Sequence, residues 1–170
     1  MPFLSNNEFI KKIDYNDHML TTDFDGLNEE EKALLGEAEK ALQYAYNPYN
    51  SKARVAAAVR VASGEIITGA CIGNVSSTVN LCAERAVLAV ASSKGERNIH
   101  AIAITGTDGD GDIENPIMPC GTCRQFMEEF LRTSGGNIDI ICSNTKKDKI
   151  IKTSLTELLP LPYSGSGEIK

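Results

Sequence analysis

Three cysteines and one glutamate are spaced in this sequence as a hydrolytic metal centre would need them. Cys82 is followed two residues later by Glu84, and Cys120 and Cys123 form a Cys-x-x-Cys pair directly after Pro119. Three thiolates can hold a zinc ion and leave its fourth tetrahedral position free, which separates a catalytic zinc from a structural one. Water on such a zinc ionises near neutrality and gives a hydroxide nucleophile. A carboxylate that is close by but off the metal can then carry protons between water and substrate. That is the role expected of Glu84. The competing expectation is a first-turn glutamate that only favours the helix dipole.

A lone Cys-x-x-Cys is a weak signal, shared with redox and structural zinc sites. The compound pattern of Cys82, Glu84, Pro119, Cys120 and Cys123 is far more specific and resembles the zinc deaminases, whose signature is His or Cys, a Glu two residues on, then Pro-Cys-x-x-Cys. Both segments read as helix starts. There free N–H groups and the positive end of the dipole stabilise anionic sulfur and lower thiol pKa values. Arg85 and Arg124, each beside a ligand, are expected either to offset the charge of three thiolates or to serve as ordinary surface arginines.

The elements that must position these residues follow from periodicity and punctuation. Asn28 followed by three glutamates is a helix start, and the apolar residues from Ala33 to Ala45 recur at helical spacing, to end near Tyr46 before Asn47-Pro48. Residues 55–61 and 65–72 around Ser63-Gly64 read as a hairpin. A helix opened by Cys82 ends at Lys94-Gly95, and one opened by Cys120 ends at Ser134-Gly135-Gly136. Residues 99–105, 138–142 and 149–152 are strands, and 155–159 is a short helix stopped by Pro160. Alternating strands and helices around one sheet predict a three-layer α/β domain.

At 170 residues the chain reads as one domain over residues 28–163, with an N-terminal extension (1–27), expected to be flexible or to lie across the surface, and a short tail (164–170). The formal charge of -6 argues against a nucleic-acid polymer and for a small-molecule substrate. The densest basic run, Lys146 to Lys152, reads as a turn and a solvated strand edge. No apolar run is long enough for a membrane span and no secretory leader pattern opens the chain, so a cytoplasmic protein with no membrane partner is expected. Of the five cysteines, Cys71 and Cys142 are left over and are expected as small hydrophobes in apolar strands. His18 and His100 lack partner motifs and are expected to be bystanders. The acidic loop at 107–114 lacks EF-hand spacing and is expected to be solvated.

From about residue 28 to 163 the chain resembles the cytidine deaminase family, in its small homotetrameric branch with a three-cysteine zinc. The stretches that carry the resemblance are Tyr46-Asn47-Pro48-Tyr49, the hairpin with Ala57-Ala58, Cys82-Ala83-Glu84-Arg85, Pro119-Cys120-Gly121-Thr122-Cys123-Arg124-Gln125 and Glu157-Leu158-Leu159-Pro160. The resemblance implies a three-layer α/β/α fold with a mixed five-stranded sheet, one zinc ion on Cys82, Cys120 and Cys123, and Glu84 as the catalytic acid/base. It implies hydrolysis of a cytosine nucleoside to its uracil counterpart and ammonia, as in pyrimidine salvage. It also places Ala83 and Pro119 at the pyrimidine, Asn74 at the sugar, and Tyr163 toward a neighbouring subunit's site.

Two departures stand out. The hairpin Phe of the family is Ala53 here. Where the family reads ribose with Asn-x-Glu-Asn, this chain has Cys71-Ile72-Gly73-Asn74. Losing groups that bond a sugar hydroxyl removes selectivity for it. Blasticidin-type deaminases share the metal core and also lack that Glu, so an antibiotic nucleoside or another aminated ring is the alternative substrate. A non-catalytic zinc module, which has no need of Glu84, is the alternative of another class, and a redox role for Cys120 and Cys123 is weaker still.

Overall fold

A computed structural model describes residues 20–108 and 113–163. The cap read at Asn28 is formed in both directions. The Asn28 side chain accepts the Glu31 N–H at 2.9 Å, and the Glu31 carboxylate accepts the Asn28 N–H at 2.9 Å. Helix α1 therefore starts at once and runs Glu29–Ala41. It stops short of Tyr46, because a tighter 3₁₀ turn over Leu42–Tyr44 carries the chain toward Asn47-Pro48.

The hairpin is β2 (Val55–Val61) and β3 (Ile66–Ala70), turned at Gly64 with a φ of 87°. Then come α2 (Ala83–Ser93), β4 (Ile99–Gly106), α3 (Gly121–Leu131), β5 (Asp139–Asn144), β6 (Ile150–Ser154) and α4 (Leu155–Leu158). The sheet has six strands rather than five. The extra one is β1 (Leu20–Thr22), from within the N-terminal extension, which pairs antiparallel with β6. Three residues are too few to show a period of two, and Leu20 is exposed, so edge pairing by backbone hydrogen bonds left no mark in the sequence. His18, residues 109–112 of the acidic loop and the tail 164–170 lie outside the described residues.

The sheet order is β1-β6-β5-β4-β2-β3. Only β4 and β5 run parallel; the other pairs are antiparallel. Alternation along the strands sorts the side chains between two cores. Ala58, Ala101, Ala103 and Ile141 face Leu34, Leu35 and Ala38 of α1. Ala57, Val59, Ile102, Ile104 and Ile140 share the other core with Val87, Leu88 and Ala91 of α2 and Met127 and Phe130 of α3. Helices thus cover both faces and the fold is α/β/α, as expected.

One contact fixes the height of α2 over the sheet. A Cβ on Gly69 of β3 would lie 2.6 Å from the Val87 nitrogen and 2.8 Å from its Cα, so the helix backbone rests directly on the glycine. Along the far face, Lys147 pairs with Glu39 at 2.8 Å and Lys152 with Glu31 at 2.6 Å. These lysines of the basic run face acids of α1 rather than forming an unpaired basic track.

Candidate metal centre and active site

Cys82 is the N-cap of α2 and Cys120 the N-cap of α3. Neither sulfur caps its helix, so both remain free to bind a metal. Cys123 is one helical turn beyond Cys120 and fully buried, and the two sulfurs are 3.7 Å apart. All three sulfurs lie within 4.8 Å of one another. Tetrahedral zinc with Zn–S bonds of about 2.3 Å has sulfur–sulfur edges of about 3.8 Å, so this donor set fits the ion in chemistry and in size. Among the described residues no fourth His, Cys, Asp or Glu joins the group. The donor set among the described residues is thus the three-sulfur set that a catalytic zinc would use.

The groups around the sulfurs favour a thiolate at Cys82 and a protonated thiol at Cys123. The Cys82 thiol is pushed down to about 5, first by a hydrogen bond from Cys123 and further by Arg85. Cys123 is pushed up, chiefly because it keeps its proton to donate to Cys82. Arg85 Nη2 stands 3.8 Å from Cys82 Sγ and donates to the Asn80 carbonyl at 2.7 Å, while its buried Nε has no partner among the described residues. Arg124 differs from the expectation. Its guanidinium donates to the carbonyls of Pro119 at 2.8 Å and Leu158 at 3.0 Å, fixing the loop before Cys120 to the end of α4.

Glu84, in the first turn of α2, is only 4 % exposed. Burial raises the pKa of its carboxyl above the ordinary value, and the Cys82 charge adds to the rise. A glutamate that served the helix dipole alone would not need to be buried beside sulfur. Glu84, Cys82, Cys120 and Ala83 line one cavity of about 250 Å³, room for a small heterocycle.

Of the other residues singled out from the sequence, Pro119 adjoins this cavity through Met118 and Cys120 without lining it. Asn74 sits outside the lining, its backbone N–H bound to the Asn80 side chain at 2.7 Å. Tyr163 is exposed in the single chain, and the Gln125 carboxamide holds its backbone through two bonds of 2.8 and 2.9 Å. Cys142 is buried in β5 as expected, and burial pushes its thiol up. Cys71 departs from expectation: it lies just past β3, is half-buried and lines the cavity. His100 is exposed on β4, away from the sulfurs and the cavity lining.

The sequence reading assigned no role to Asn47, Asn80 or Met118, which also line the cavity. Asn47 and Asn80 arrive through pairing between loops. Ile72 is stitched between Tyr46 on one side and Leu81 on the other, which brings residue 47, residue 73 and Cys82 around one space. The turn chemistry of Asn47-Pro48 marked a loop without saying what the loop would meet.

Comparison with known proteins adds to this geometry. Residues 28–134 match the family described as the cytidine and deoxycytidylate deaminase zinc-binding region. The chain is 37 % identical to a cytidine deaminase of Sporosarcina psychrophila, over 77 % of this chain and 89 % of that one. It is 28 % identical to a blasticidin-S deaminase of Bacillus cereus, over 68 % and 80 % respectively. Among solved structures, a cytidine deaminase from Burkholderia pseudomallei superposes with a TM-score of 0.68 at 32 % identity, covering 81 % of this chain and all of that one.

Proposed function

Because the chain belongs to the cytidine and deoxycytidylate deaminase family, we propose that it hydrolyses the C4–N bond of a cytosine nucleoside, converting cytidine or deoxycytidine to uridine or deoxyuridine and ammonia. The observation that carries this reading is Glu84, buried in the same cavity as a three-sulfur donor set that no fourth ligand joins among the described residues. Zinc bound by Cys82, Cys120 and Cys123 supplies the Lewis acidity that makes hydroxide available near neutral pH.

The protein's own groups do the rest. Glu84 takes a proton from the attacking water and delivers it to the ring nitrogen next to C4. It then assists proton transfer to the departing amino group, so that oxygen joins C4 as ammonia leaves. Burial shifts its carboxyl above the ordinary value, in the direction that favours a group that holds a proton for part of each cycle. Ala83 holds the pyrimidine through its backbone from the cavity lining, and Pro119 does so from beside it, next to Cys120. The family resemblance adds Asn74, just outside the lining, at the sugar and Tyr163, exposed in the single chain, as a contact to a neighbouring subunit's site in a homotetramer.

The catalytic domain is assigned to residues 28–163, and the setting to cytoplasmic pyrimidine salvage. Among the described residues no helix is long and apolar enough to cross a membrane. A second substrate class, blasticidin-type nucleosides, is favoured by Gly73 and by the similarity to the Bacillus cereus enzyme.

The test is loss of ultraviolet absorbance when zinc-loaded protein meets cytidine and deoxycytidine, with Glu84→Gln beside it. Turnover abolished by the substitution, with zinc content and fold retained, is the expected result. No turnover by the native protein would refute the cytidine assignment and move the search to antibiotic nucleosides, read by ammonia release.

A further inference from the structure

Gly73 lies flush against another loop. Its N–H donates to the Tyr46 carbonyl at 2.6 Å, and the pairing of Ile72 with Tyr46 and Leu81 prevents its backbone from retreating. A Cβ on Gly73 would lie 2.5 Å from Asn47 Oδ1, 2.8 Å from its Cγ and 3.1 Å from its Cα. The volume of a side chain at position 73 is thus already filled by the Asn47 carboxamide. That carboxamide is itself held: Oδ1 accepts the Asn50 N–H at 3.2 Å, and Nδ2 donates to the Ala53 carbonyl at 3.4 Å.

Other polar side chains of this wall are likewise engaged within the protein. Cys71 Sγ accepts the Val55 N–H at 3.4 Å, and Asn80 Oδ1 accepts the Asn74 N–H at 2.7 Å. Among the described residues that line the cavity, Glu84 is the only one with a carboxylate.

In a cytosine nucleoside the sugar-bearing N1 lies across the ring from C4. With C4 at Glu84 and the sulfurs, the sugar points away from them, and Asn47, Ala53, Cys71 and Gly73 line the same cavity while belonging to neither metal motif. A site rejects an analogue lacking a hydroxyl strongly only when the loss leaves its own buried polar groups unpaired. Here Asn47 Oδ1 and Nδ2, Cys71 Sγ and Asn80 Oδ1 already have protein partners, so a missing hydroxyl orphans none of those bonds.

We propose that Asn47, seated in the space of the absent Gly73 side chain, makes this a sugar-permissive site that accepts cytosine nucleosides with or without a 3′-hydroxyl, 2′,3′-dideoxycytidine included. This rests on the deaminase reading above and extends it to a substrate class.

The experiment compares kcat/KM of the zinc-loaded full chain for cytidine, 2′-deoxycytidine and 2′,3′-dideoxycytidine. The expected spread is less than about a hundredfold, where a hydroxyl-reading site gives about 10⁴–10⁵. Turnover of cytidine with dideoxycytidine reduced by more than about a hundredfold overturns the inference and leaves the deaminase reading intact. Turnover of none of the three overturns both.

A double-mutant cycle tests the role of Asn47. Gly73→Ala, which must dislodge the carboxamide, raises KM for cytidine, and the same change made on Asn47→Ala raises it less. Additive effects of the two substitutions would show that the two residues do not share that space, and would overturn the assignment.

Discussion

Replacing Gly69 by alanine tests whether the height of α2 sets the geometry of the metal centre. The new Cβ would stand 2.6 Å from the Val87 nitrogen, and the atoms it meets first are helix backbone, which cannot swing aside. Ordinary contact needs about 0.8 Å more, so α2 must lift or tilt by a comparable amount. Cys82 caps that helix and Glu84 is in its first turn, so both move with it. Overpacking of this kind costs about 1–3 kcal/mol, which for a chain of this size lowers Tm by roughly 2–12 °C. A misplacement of about 1 Å at reacting groups costs on the order of 10²-fold in rate, and a partial shift of α2 predicts roughly a tenfold loss of kcat. Thermal melting, zinc content by mass spectrometry and kcat for cytidine would be read on one preparation. Gly36→Ala is the control. It lies in α1 with nothing within 4 Å of its would-be Cβ, so it should gain roughly 0.5–1 kcal/mol and leave kcat unchanged. A Gly69→Ala protein with native Tm and native kcat would show that α2 does not rest on this residue, and would refute the reasoning.

Removing zinc with a chelator should lower Tm by an amount that depends on free zinc, since an ion bound only by the native state stabilises by mass action. Melting curves across a zinc-buffer series check this, and a Tm independent of zinc would contradict a metal held by Cys82, Cys120 and Cys123. Glu157 predicts a pH dependence. Hydrogen bonds from the Thr153 hydroxyl, and then from the Ser154 side chain and backbone, hold its carboxyl below the ordinary glutamate value. A depressed carboxylate stabilises the fold above the unfolded pKa of about 4.3 and loses that contribution as pH falls through the folded value. Glu157→Gln should therefore reduce the difference in stability between neutral and acidic pH, measured by denaturant melts at each. An unchanged difference would show that the capping box at α4 adds nothing specific.

What the sequence made legible, and what it hid, divides along a physical line. The metal centre could be read because its chemistry needs particular atoms at short sequence spacing. Cys120 and Cys123 meet across one helical turn, and Glu84 follows Cys82 by two residues. The helices and the hairpin were legible for a related reason, since capping at Asn28 and the Ser63-Gly64 turn between two apolar runs are local signals. β1 was hidden because three residues, two of them exposed, paired by backbone at a sheet edge carry no pattern. The sugar wall was hidden more deeply. Its shape is set by absent side chains, at Gly73 and Ala53, and by Asn47, which reaches that space only because Ile72 pairs with both Tyr46 and Leu81. Missing atoms leave a motif reader nothing to match except a departure, whereas in three dimensions the gap left by one residue has a definite occupant. Reaction type and substrate range therefore depend on different parts of this chain. The first rests on atoms that zinc and proton transfer require. The second rests on how neighbouring loops fill the space around them, and changes there can alter the sugars accepted without touching the three sulfurs or Glu84.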